Sequence, residues 1–226
     1  KRIVALKVLS ASLSKNQDFV RRFQREVETV ARLGHPNIVM AYDAGILPSP
    51  GRGEASLHYL VMELVTGGDL EQYVYDHGIL SIPQACEWIR QAASGLQEAH
   101  NNHLIHRDLK PSNLLRSVPR DSSDDALHSG APSESKIKLV DFGLARQFCS
   151  TLTDPRMLLG SIEFMAPEQS IDPSAVGPPA DIYGLGATLF WLLCGQTPYP
   201  IEQNLASVLR ALQSEKPRRL RQFLPE

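Results

Sequence analysis

Cysteine is scarce in this chain. Cys86, Cys149 and Cys194 are the only three among 226 residues, and an odd number at wide spacing excludes a disulfide framework or a zinc pattern and fits a reducing compartment. Long apolar runs are also missing. The longest apolar stretch, Ala187 to Cys194, falls far short of the roughly 20 residues a membrane helix needs, and no signal peptide opens the chain. No membrane contact is expected from this segment, which is expected to be cytoplasmic, with any anchor of the parent protein lying elsewhere. A large excess of one charge is absent too: the formal net charge is −2, so no nucleic-acid partner is expected. The 42 % of hydrophobic residues suits one or two small globular lobes with a real core.

What is present is a run of chemistry-bearing residues at set spacing: His106-Arg107-Asp108-Leu109-Lys110-Pro111-Ser112-Asn113, then Asp141-Phe142-Gly143. Phosphoryl transfer needs an aspartate to orient a hydroxyl and accept its proton, and oxygens to hold magnesium against the phosphates. Asp108, Asn113 and Asp141 supply such oxygens. Magnesium takes one or two protein oxygens, with phosphate and water completing its octahedron, so one Asn and one Asp form a set of the right size; calcium would want more. Lys110, two residues past the base, brings an ammonium that can neutralise charge on the transferring group. The string resembles the catalytic loop of the protein kinase family almost residue for residue. Lys110-Pro111-Ser112-Asn113 and Ala41-Tyr42-Asp43-Ala44-Gly45 resemble its bacterial, eukaryotic-like (Hanks-type) serine/threonine branch. The resemblance implies ATP and Mg2+ as cofactors, Asp108 as base, and Asn113 and Asp141 as metal ligands.

Ile3 to Leu9 reads as a buried strand, in which Val4-Ala5-Leu6-Lys7 resembles the family strand whose lysine meets the α and β phosphates. Ala5 and Lys7 are then nucleotide-binding. The family's glycine-rich hairpin lies just upstream, and its last helices follow Pro198-Tyr199-Pro200 by some distance, so the chain is expected to be truncated at both ends of the catalytic domain. A helix is predicted over 16–33. At about 100° per residue Phe19, Phe23, Val27, Val30 and Leu33 share one side, with Glu26 inside that arc and Glu28 outside it. An inward carboxylate needs a partner, so Glu26 is expected to pair with Lys7. The plain alternative is a solvated rim glutamate and a snorkelling lysine.

His35-Pro36-Asn37-Ile38 marks a turn between that helix and strands predicted over 38–44 and 57–64, with Pro48 to Gly53 as a surface insertion. His58 to Leu70 resembles the last small-lobe strand entering the hinge. By that resemblance Met62 is the gatekeeper, the Glu63 carbonyl and Val65 amide meet adenine, Asp69 reaches the ribose or substrate side, and Leu115 floors the pocket. Met62 as plain core and Asp69 as a helix N-cap are the alternatives.

Helices are predicted over 81–103, with Ala85, Trp88, Ile89, Ala92, Gly95, Leu96 and Ala99 at helical spacing, and from Asp181 to Cys194. The three-apart His100, His103 and His106 could suggest a metal site, but no carboxylate or cysteine completes it, and the family has a structural histidine in the loop. Residues 117–135 read as a disordered insertion. Ala166-Pro167-Glu168 resembles the end of an activation segment, in which Thr151 or Thr153 is the expected phosphorylation site read by Arg107. An unmodified polar loop is the alternative. Asp181 is expected to brace the catalytic loop; otherwise it is a first-turn charge favoured by the helix dipole.

The resemblance implies an α+β, two-lobed kinase-like fold. Residues 1–65 form a partial N-terminal lobe up to the hinge, a small antiparallel sheet with one helix, and residues 66–226 a partial, mainly helical C-terminal lobe. The expected function is transfer of the ATP γ-phosphoryl group to Ser/Thr hydroxyls of protein substrates, with Asp108, Lys110, Asn113, Lys7 and Glu26 as the catalytic set. The alternatives are a pseudokinase ATP-binding or scaffold module and an aminoglycoside or lipid phosphotransferase. The latter would lack Ala166-Pro167-Glu168. Oligomeric state is not readable.

Overall fold

The computed structural model describes residues 2–9, 14, 17–48, 56–118, 135–142, 162–172, 176–200 and 205–224. Thr151, Thr153 and the middle of the 117–135 insertion lie outside them.

Three antiparallel strands open the chain: β1 (Val4–Val8), β2 (Ala41–Leu47) and β3 (Leu57–Glu63), in the order β1-β3-β2. The buried strand expected over Ile3 to Leu9 is corrected: Val4, Leu6 and Val8 are 40, 58 and 49 % exposed. β1 is an edge strand of this sheet, and one of its faces has no layer over it among the described residues. Ala5 and Lys7 alternate to the other face, where they are half-buried. There α1 (Gln17–Val30) packs, seating Phe23 and Val27 against Leu60. The predicted apolar arc is the packed one for Phe23, Val27 and Leu33, while Glu28 is exposed.

The turn after α1 docks on the large lobe through polar bonds. Asn37 Nδ2 donates to the Ile137 carbonyl at 2.8 Å, and the backbone of Val39 and Asn37 bonds Leu139 in both directions at 2.9 Å. Burying these amides and carbonyls in pairs lets the connection pass through apolar surroundings at little cost.

The large lobe contains α2 (Leu70–His77), α3 (Ile82–Asn101), the hairpin β4 (Leu114–Ser117) with β5 (Lys136–Leu139), α4 (Pro167–Ile171), α5 (Pro178–Cys194) and α6 (Leu205–Ser214). α3 is its axis. Ala85, Trp88, Ala92, Leu96 and Ala99, spaced three and four apart, are at most 2 % exposed and join Leu114, Ile137, Leu139 and Leu192 in one core. The ends of the expected insertion are ordered parts of the hairpin: Ser117 pairs with Lys136, and Ser135 is buried. Among the described residues, no helix is long and apolar enough to cross a membrane.

Candidate active site

The loop from Leu104 to Asn113 runs between α3 and β4 and is hung from one buried carboxylate. Asp181, in the first turn of α5, accepts from the His106 amide at 2.8 Å through Oδ2 and from the Arg107 amide at 2.6 Å through Oδ1. His100 Nε2 also meets Oδ2, at 2.8 Å. Asp181 therefore braces the loop backbone, the role expected over a mere first-turn charge.

His106 is fully buried. Burial pushes its imidazole below the ordinary value, outweighing the opposing pull of Asp181, Asp108 and Asp141. The neutral ring has a defined tautomer, because the Val140 carbonyl 3.0 Å from Nε2 can only accept. Nδ1 is then the acceptor facing the Asp108 amide at 3.4 Å. The ring also packs on Phe142, 4.8 Å between centroids. The three histidines thus take separate positions: His100 on Asp181, His106 on Val140, and His103 at the end of α3 in a left-handed turn with φ 58°.

Asp108, Lys110 and Asn113 converge. Asn113 Nδ2 donates to the Asp108 carbonyl at 2.7 Å and to Asp108 Oδ2 at 3.0 Å, and Lys110 Nζ lies 3.4 Å from the same Oδ2. Both amide hydrogens of Asn113 are committed to Asp108, so its side-chain oxygen is the atom left to face a cation. Glu163, half-buried, lies within electrostatic reach of Lys110; burial first, and Glu71 second, push its carboxyl up, with Lys110 opposing.

Lys7 meets the carboxylate of Asp141. Its Nζ lies 2.5 Å from Asp141 Oδ1, while the Glu26 side chain lies outside the described residues. Asp141 holds φ 62°, a left-handed conformation, and from there its carboxylate meets the ammonium from β1. Asn113 and Asp141, the expected metal ligands, supply hard oxygens of the kind and number Mg2+ takes.

On the hinge side, Met62 pairs in register with Ala5 on one flank and Ala41 on the other. It lines a cavity of about 20 Å3 with Val27, Leu60, Asp141 and Phe142, room for about one water. Asp69 caps α2, its Oδ1 accepting from the Gln72 amide at 2.8 Å, and its backbone bridges to Leu115. Val65 follows β3 and is half-buried.

Two side chains had no role assigned from the sequence. Glu63, expected to act through its carbonyl, also sends its carboxylate to Lys138 Nζ at 2.9 Å and to the Met40 amide at 3.3 Å. Gln169, in α4, bonds both Ala166 and Arg107. Ala166 at the N-cap lacks the side-chain oxygen of a capping box, so the glutamine three residues on is not marked by the sequence; its bond to Arg107, 62 residues away, has no local signature either.

Comparison with known proteins agrees with this geometry. A family model described as "Protein kinase domain" matches residues 1–222. The chain is 36 % identical over 217 residues to the serine/threonine-protein kinase PrkC of Bacillus subtilis, covering 96 % of this chain and 30 % of that protein. It is 32 % identical over 217 residues to PknA of Mycobacterium tuberculosis, covering 96 % of this chain and 46 % of the relative. The chain therefore spans less than half the length of these curated relatives. Among solved structures, the M. tuberculosis PknI kinase domain matches with a TM-score of 0.68 at 29 % identity, over 99 % of this chain and 72 % of that one. On its sequence, its two-lobed fold and its catalytic loop alike, the chain belongs to the protein kinase domain family.

Proposed function

We propose that this chain is the catalytic segment of an ATP-dependent serine/threonine protein kinase acting on protein hydroxyls in the cytoplasm, with the boundary between its lobes near residue 65. The observation that carries the reading is the meeting of Asp108, Lys110 and Asn113 within 3.4 Å on a loop whose backbone Asp181 holds. Asp108 is the base: its Oδ2 is oriented by Asn113 and Lys110 and takes the proton of the attacking hydroxyl. Lys110 neutralises charge on the transferring phosphoryl group. Asn113 and Asp141 hold Mg2+, which when bound neutralises phosphate charge. Lys7 takes the α and β phosphates and Glu26 steadies it. Ala5, Met62, Val65 and Leu115 enclose adenine, with the Glu63 carbonyl and Val65 amide as its hydrogen-bond partners, and Asp69 faces the ribose side while capping α2.

The presence of Lys7, Asp108, Asn113 and Asp141 together favours an active enzyme over a pseudokinase scaffold. The test is Asp108→Asn in the intact protein. Loss of a general base costs roughly 10²- to 10⁴-fold, so magnesium-dependent autophosphorylation and transfer to casein should fall by that much while nucleotide binding persists. Undiminished transfer would sink the assignment.

A further inference from the structure

Arg107 holds φ 65°, a left-handed conformation that a residue with a side chain keeps only where its surroundings over-determine it. Its amide is held by Asp181 at 2.6 Å. Its carbonyl is held from a different element: Gln169 Nε2 donates to it at 3.0 Å, while Gln169 Oε1 accepts from the Ala166 amide at 3.0 Å. Gln169 is 9 % exposed, its bond with Ala166 is buried and its bond with Arg107 part-buried, and a polar group that loses its partner in such surroundings is costly.

The Arg107 carbonyl and the Asp108 amide are two ends of one planar peptide. Its far end faces His106 Nδ1 at 3.4 Å, and its near end carries the bond from Gln169. Gripped at both ends, this peptide sets where the Asp108 carboxylate lies relative to Asn113 and Lys110.

We propose that Gln169 is a positioning residue for phosphoryl transfer: its side-chain amide ties Ala166-Pro167-Glu168 to the peptide preceding Asp108, so that the base is aligned when that segment is docked. The role rests on the kinase reading above, because Gln169 acts through Asp108. A primary amide suits it, having one acceptor for Ala166 and one donor for Arg107. Glutamate keeps the acceptor but turns a carboxylate oxygen toward the Arg107 carbonyl. Methionine keeps the volume and offers neither strong bond.

The experiment measures steady-state autophosphorylation and casein phosphorylation by the intact protein, unmodified and as Gln169→Glu and Gln169→Met. Each substitution is also combined with Asp108→Asn. The expected result is a kcat roughly tenfold lower or more in either single variant, with KM for ATP unchanged, as follows from losing a part-buried hydrogen bond that aligns the base. In the Asp108→Asn background the second substitution should leave the residual transfer unchanged, since residues acting through one group are not additive. An undiminished kcat in both single variants, or a loss repeated in full beside Asp108→Asn, overturns the role of Gln169 alone. If Gln169→Glu does not fold, Gln169→Met provides the same comparison. Absence of transfer by the unmodified protein overturns the kinase reading and this role with it.

Discussion

His106 shows how one buried side chain can shape a site without touching substrate. The family resemblance implied a structural residue here, but not its tautomer, which depends on the Val140 carbonyl 34 residues away. The fold keeps this imidazole neutral, with a pKa below its ordinary value of 6.5, chiefly because burial disfavours the charged form. The unfolded chain gains a proton as pH falls through about 6.5, whereas the folded one resists until lower pH, so this contribution is full above about pH 6.5 and is lost below it. We expect the urea midpoint to fall between about pH 7.5 and about pH 5.5, with a His106 share of at most about 1.4 kcal/mol per pH unit. His106→Phe should flatten that slope; equal slopes in the two proteins would assign the titration to other groups.

Along the elements, periodicity was a good guide wherever a helix buries one stripe. In α3 the spacing identified Ala85, Trp88, Ile89, Ala92, Gly95, Leu96 and Ala99, all buried except Ile89, which packs half-buried at the edge of the core. It placed Gly95 on that stripe but gave no reason for a glycine, which sits in the helix against propensity. A Cβ there would lie 2.6 Å from the Asn37 backbone oxygen, and that oxygen is engaged by the Leu139 amide, so it has little room to move. Gly95→Ala, which in an open helix would stabilise by up to about 1 kcal/mol, is therefore expected to destabilise by about 1–3 kcal/mol through overpacking. Chemical denaturation measures the sign, and a gain in stability would refute the close approach. β1 was misread for the opposite reason: an apolar run looks buried from its composition, yet burial depends on whether another layer covers it.

For the whole molecule, two ion pairs among the described residues link the small sheet to the large lobe: Lys7 with Asp141, and Glu63 with Lys138. The first is 34 and 40 % exposed at its two side chains, so solvent screening limits it to at most about 1 kcal/mol. Its weight lies in ligand binding. We expect Asp141→Asn and Lys7→Met to leave nucleotide-free stability within about 1 kcal/mol of the parent. The unmodified protein should gain thermal stability with ATP and magnesium by mass action, and Asp141→Asn should lose the magnesium-dependent part. The same shift with and without magnesium in the unmodified protein would remove Asp141 and Asn113 from the metal site.

Much of this could be read before folding. Asp108, Lys110, Asn113 and Asp141 lie on short segments whose order and spacing carry their chemistry, and Phe23, Val27 and the α3 stripe follow from helical geometry. Local spacing encodes these because the interactions involved repeat within a turn or a loop. What depended on the folded chain were pairings between distant segments: Lys7 with Asp141, Glu63 with Lys138, Asp181 under the catalytic loop, and Gln169 on the Arg107 carbonyl. Asp181 could be anticipated only through the family resemblance, and Gln169 not at all. A hydrogen bond of about 3 Å between residues tens of positions apart leaves no periodic trace, since its geometry is set by how helices and strands pack.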